Sequence, residues 1–153
     1  MWDSSCAMAL GDSRSDTAYG RSVPALPDNV ASLRHAIVDL AGRLGAPEDV
    51  RTDIALAVGE ACANVVVHAY PPGDVGPLIV HAAQQRAGGP ELTVTVIDQG
   101  QGMAPRPDSP GLGLGLPLIA NLADHLEIRD GPDGVGTEVV MVFSLKRDGD
   151  RPT

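Results

Sequence analysis

The chain has 153 residues, which suits one domain with a core of its own. Its formal net charge of −9 argues against nucleic acid as a direct partner. With one Trp, two Tyr and one Phe, the core has to be built from Val, Leu, Ile and Ala.

Residues 1–21 are rich in Ser, Asp and Gly without periodicity and read as a disordered N-terminal tail, with residues 148–153 as a short C-terminal tail. The span 22–147 between them is the expected domain. "SVPALP" is a short extended piece ended by Pro27. A first helix is expected from about Asp28 to Leu44, because Val30, Leu33, Ile37, Leu40 and Leu44 recur at spacings of three and four. Gly45 stops it. Pro47 can open a second helix, with Glu48 and Asp49 at the positive end of its dipole, running to about Ala69. "PLIVHAAQ" and "ELTVTVID" read as strands joined by a turn at "RAGG". A glycine-rich loop leads to a third helix, about Leu114 to Ala123. "HLEIRD", a turn at "GPDGVG" and "TEVVMVFSL" then form a last hairpin. This order makes a two-layer α+β sandwich, with helices on one face of a mixed, mainly antiparallel sheet.

Other features bound where the chain works. Two cysteines, Cys6 and Cys62, make no disulfide framework and fit a reducing cytosol. No apolar run approaches the ~20 residues of a membrane span. The first residues lack the basic-then-apolar order of a signal peptide. The expectation is a cytoplasmic protein with no membrane contact.

The second helix is nearly apolar on every side, yet Glu60, Asn64 and His68 interrupt it at intervals of four. Positions four apart share a helical face, drifting by about 40° per step. An unpaired carboxylate in a core is costly, so Glu60 needs a cation, a metal-bound ligand or a wet cleft. From this helix alone, pairing with an arginine and a place beside a ligand stand about even.

Three glycine clusters follow. "DQGQGM" places Asp98 at the end of a strand, where its carboxylate can accept a hydrogen bond from an exocyclic amine such as that of adenine. Gly100 and Gly102 let the backbone approach a flat ligand. An ordinary strand-to-loop turn would look the same. "PGLGLGLPLI" puts Gly111, Gly113 and Gly115 at a helix entry, where freed N–H groups form an anion site, or simply a hinge. It matches neither the dinucleotide fingerprint nor the Walker loop. "GTEVV" opens the final strand with Thr137.

Taken in order, a Glu-x-x-x-Asn helix, Asp-x-Gly-x-Gly after a strand, Gly-x-Gly into a helix and Gly-Thr before a strand resemble the GHKL (Bergerat) ATPase fold of gyrase and the histidine kinases. The resemblance runs from about Asp28 to Leu145. Within that group, "GLGLGLPLIANLADHLEI" is most similar to the bacterial anti-sigma factor serine/threonine-protein kinases. The resemblance implies ATP and Mg2+ as cofactors. It implies Glu60 as general base, Asn64 as magnesium ligand, and Asp98 as the adenine-reading carboxylate helped by Thr137. Gly100 and Gly102 become the floor under the base, and Gly113 and Gly115 part of a mobile lid meeting the phosphates. The implied partners are a sigma factor and a STAS-fold anti-sigma-factor antagonist, with homodimerisation a family expectation. His35 lacks the acidic neighbour and proline of a phosphoacceptor motif. Where some relatives carry an arginine before the Gly-x-Gly, this chain reads "SPGLG", with Arg106 as the one cation of the lid. The alternative is a non-catalytic ATP-binding module that sequesters a regulator.

Overall fold

The computed structural model describes residues 18–85, 89–100 and 112–146. In chain order these form β1 (Ala18–Pro24), α1 (Pro27–Arg43), α2 (Glu48–Asn64), a π-turn (Val65–Ala69), β2 (Pro77–Gln85), β3 (Glu91–Asp98), α3 (Leu112–Leu122), β4 (His125–Asp130) and β5 (Thr137–Ser144). The strands make one five-stranded sheet in the order β1-β2-β3-β5-β4. Every pairing is antiparallel, so the parallel component that a mixed sheet would need is absent from the described residues. β1 begins at Ala18, inside the segment that composition assigned to the tail, and pairs with β2 along its whole length.

Each element follows from its residues. α1 starts on Pro27, whose missing N–H costs nothing in a first turn, with Asp28 beside it and Arg43 in the last turn. It ends in a Schellman arrangement: Gly45 takes φ +93°, its N–H bonds Gly42 O at 3.1 Å, and Ala46 N–H bonds Ala41 O at 2.9 Å. α1 buries one stripe, Leu33, Ile37, Leu40 and Ala41. α2 lies in the middle of the helical layer, touching α1, α3, β3 and β5. That position explains why it is apolar nearly all round: Val50, Ile54, Ala57, Val58, Ala61 and Cys62 are all buried.

The sheet shows the period-two pattern of one covered face. Leu78, Val80 and Ala82 on β2, Leu92, Val94 and Val96 on β3, and Val139, Met141 and Phe143 on β5 are buried beneath the helices. Truncating one of the large members to Ala costs about 2–5 kcal/mol. The opposite face carries Arg129, whose Nε lies 3.3 Å from Glu138 Oε2 across the β4–β5 pair. No helix among the described residues is long and apolar enough to cross a membrane.

The topology places one end of the sheet for chemistry. β3 is the middle strand and ends at Asp98, flanked by Leu78 of β2 and Thr137 of β5. The C-terminal end of α2, through the π-turn, reaches the same end of the sheet.

Candidate functional site

Glu60 and Asn64 stand one turn apart near the C-terminal end of α2. Glu60 is half-buried and Asn64 is only 5% exposed. α3 packs against them at Gly115: a Cβ added there would lie 2.5 Å from Glu60 Oε1 and 2.8 Å from Asn64 Nδ2. α3 therefore meets the polar stripe at a residue without a side chain. Gly113 lies in the first turn of the same helix. Pro117, further along, has no N–H to offer the Gly113 carbonyl. No ion pair among the described residues involves Glu60, so the arginine partner that a bland reading would give it is not found there. Asn64 Nδ2 is buried without a hydrogen-bond partner. Such an atom is expensive to leave unpaired, and a half-turn of the amide puts its oxygen in that position.

His68 lies in the π-turn that follows Asn64, beyond the α-helical period that links Glu60 to Asn64, and is half-buried.

Asp98 is 2% exposed and lies at the C-terminal end of the middle strand rather than at a lateral edge of the sheet. Its Oδ1 accepts the Gly100 N–H at 2.9 Å. Burial pushes its carboxyl above the usual carboxylate range, against the lowering effect of the backbone N–H groups of Gly100 and Thr137. Thr137, 4% exposed, sits directly across from it in the β3–β5 register. Gly136 just before it has φ +74°, and a Cβ there would fall 1.9 Å from the Asp98 carbonyl oxygen. Only glycine fits that approach. Gly100 has an equally hard reason: its Cβ would fall 1.9 Å from Ala69 O, at the end of the π-turn. Gly100 thus packs the strand-end loop against the helix that carries Glu60 and Asn64.

Two residues here escaped the sequence reading. Gly136 is one; the "GT" pair drew attention to its threonine alone. Tyr70 is the other. Its hydroxyl donates to the Pro77 carbonyl and accepts the Gln99 N–H at 3.0 Å. The available signal was a scarce aromatic just after a long helix, followed by Gly76 and Pro77. Gly102 and Arg106 lie outside the described residues.

Among the described residues no group of three or more His, Cys, Asp and Glu could hold a metal ion by itself. A cation here could draw on the Asn64 carboxamide oxygen together with oxygens of a ligand and water, the usual habit of Mg2+. Cys62 takes no part: it is buried, with its thiol pushed up to about 12. A cavity of about 400 Å3 lies on the other face of the sheet, lined by Ile79, His81, Ile97 and Pro132 among others. Glu60, Asn64 and Asp98 do not reach it.

A carboxylate and carboxamide one turn apart on a helix, a buried strand-end carboxylate and close glycine contacts at each fit an ATPase or kinase type of domain. The histidine kinase-like ATPase domain matches residues 23–143, and the chain belongs to that family. It is 34% identical over 142 residues to a serine-protein kinase RsbW of Halalkalibacterium halodurans, covering 83% of each chain. It is 30% identical over 125 residues to an anti-sigma F factor of Clostridium beijerinckii, covering 74% of this chain and 85% of that one. Among solved structures, the RsbU and RsbW domains of a Mycobacterium tuberculosis protein match with a TM-score of 0.67 at 23% identity. That match covers 90% of this chain and 35% of the longer one, and it shows the shared fold.

Proposed function

We propose that the protein is an anti-sigma factor with serine/threonine-protein kinase activity, which moves the ATP γ-phosphate onto a STAS-fold antagonist and binds a sigma factor in a partner switch. The observation that carries this reading is the meeting of Glu60 and Asn64 with Gly115, at the end of the sheet where Asp98 is buried.

In this reading Asp98 accepts a hydrogen bond from the adenine amine, and Thr137 supports it across the β3–β5 pair. Gly100 and Gly102 leave room under the base. Gly113 and Gly115 bring α3 and the preceding loop to the phosphates. Asn64 offers its carboxamide oxygen to Mg2+, which would offset negative charge on the phosphates. Its orphaned amide and its place beside Glu60 fit that role. Glu60 takes the proton from a serine or threonine hydroxyl of the antagonist. The freed oxygen bonds to the γ-phosphorus, the bond to the bridging oxygen breaks, and ADP leaves. A cytoplasmic location and a homodimer complete the proposal.

The test is transfer of labelled phosphate from ATP to STAS-fold proteins of the same genome, with sigma-factor binding measured in parallel. Transfer to a serine or threonine of a STAS protein is the expected result. Sigma-factor capture without any transfer would instead make the chain a non-catalytic binding module.

A further inference from the structure

We propose that Tyr70 is a positioning residue for adenine recognition, clamping the peptide that follows Asp98 to the end of the helix bearing Glu60 and Asn64. This rests on the reading of Asp98 as the adenine acceptor. Tyr70 is the first residue after the π-turn and has extended backbone, φ −120° and ψ 148°. From there its hydroxyl reaches two strands at once. It donates to the carbonyl of Pro77, the first residue of β2, and accepts the N–H of Gln99, the first residue after β3. Leu78 and Asp98 are partners in that pairing, so the two bonds fall on neighbouring strands at the site end of the sheet.

The surroundings leave the ring little choice. A Cβ on Gly76 would lie 2.1 Å from Tyr70 Cε1, so Gly76 is the slot in which the ring sits. One residue before Tyr70, Ala69 O takes the close approach of Gly100. The two residues after Asp98 are therefore each held: Gln99 by the phenol, Gly100 by the Asp98 carboxylate and the π-turn. Burial raises the phenol's pKa first, the Gln99 N–H opposes this, and the Asp98 charge adds to the rise. The hydroxyl thus stays protonated and able to donate to Pro77. Without it, Gln99 loses an anchor and the Asp98 side chain loses the fixed backbone on which its direction depends.

The experiment measures Mg-ATP and Mg-GTP affinities by calorimetry for the parent, Tyr70→Phe, Asp98→Asn and Tyr19→Phe. Guanine presents a carbonyl where adenine presents its amine, so an aimed Asp98 carboxylate disfavours it. Tyr70→Phe keeps the ring and should lower the ATP-over-GTP preference roughly three- to tenfold, the scale of one lost hydrogen bond. Tyr19→Phe, at the only other tyrosine, should not change it. Gly76→Ala keeps every hydroxyl but displaces the ring, and should reproduce the loss; it decides the matter if Tyr70→Phe does not fold. A lower melting temperature with an unchanged ATP-to-GTP ratio would make Tyr70 merely structural and overturn the proposal. Unchanged selectivity in Asp98→Asn would overturn the adenine reading and this proposal together. Lost selectivity in Asp98→Asn beside an intact ratio in Tyr70→Phe and Gly76→Ala overturns only the role of Tyr70.

Discussion

The two ends of the site are built differently. At the Asp98 end, polar groups are satisfied from within: the carboxylate accepts backbone N–H groups of Gly100 and Thr137, and the peptide beyond it is tied to Tyr70. Gly136 and Gly100 press backbone against backbone there, at contacts no side chain could enter. At the Glu60–Asn64 end, the groups are side chains on one helix, met by a second helix at Gly115, and a buried amide nitrogen has no partner. One end is shaped by strand register. The other depends on the docking of α3 at Gly115. Under the proposed function, the first end serves binding specificity and the second phosphate chemistry, a division in which recognition is preorganised by backbone contacts.

The strongest way to break this division is Glu60→Gln. The change keeps size and removes basicity. Phosphoryl transfer should fall by about 10²–10⁴-fold while ATP affinity stays nearly constant, read by single-turnover transfer beside calorimetry. A matching loss of affinity would move Glu60 into the binding end.

Asp98→Asn should act in the opposite way. Losing a charged hydrogen bond costs about 1.5–3 kcal/mol, or roughly ten- to a hundredfold in affinity. The pH profile sharpens the point. Burial raises the Asp98 pKa, and an amine donor favours the ionised form, so ATP binding weakens as pH falls through that raised titration. The direction follows because the nucleotide-bound carboxyl titrates lower than the free one. Asp98→Asn should abolish this dependence, and calorimetry across pH checks it.

Gly115→Ala probes the junction itself. A methyl group 2.5 Å from Glu60 Oε1 must push α3 or the carboxylate away. Overpacking of this kind costs about 1–3 kcal/mol, measurable by denaturant unfolding, and transfer should fall more than ATP affinity. The smallest effect belongs to the far face of the sheet. Arg129→Ala removes a guanidinium that is half exposed and pairs with Glu138 and Glu127, and should change stability by less than about 1 kcal/mol, with transfer unaffected.

Much of this was legible in the sequence. The alternation in "ELTVTVID" matches β3 end to end, because a half-buried strand writes its period directly; the bounds of β4, which is nearly all exposed, are legible from the turns that flank "HLEIRD". β1 was not fully legible: "AYGR" carries no alternation, and its place comes from pairing with β2, a tertiary effect. The π-turn was equally hidden, since "VVVHA" continues a helical pattern without a break. Motif order proposes candidate site residues, but not the reason for each glycine. Gly115 yields to two side chains, whereas Gly100 and Gly136 yield to carbonyl oxygens from distant parts of the chain. Tyr70 was missed for the same reason: its partners, Pro77 and Gln99, meet it only once the sheet has formed.

The most direct measurement of the central claim is the magnesium dependence of nucleotide affinity in Asn64→Ala. ADP without magnesium reports the Asp98 end alone, and Mg-ATP reports both ends. Asn64→Ala should bind magnesium-free ADP as the parent does and lose most of the gain that magnesium gives to ATP. Equal weakening of both nucleotides, or of neither, would contradict this and leave Asn64 a packing residue of α2.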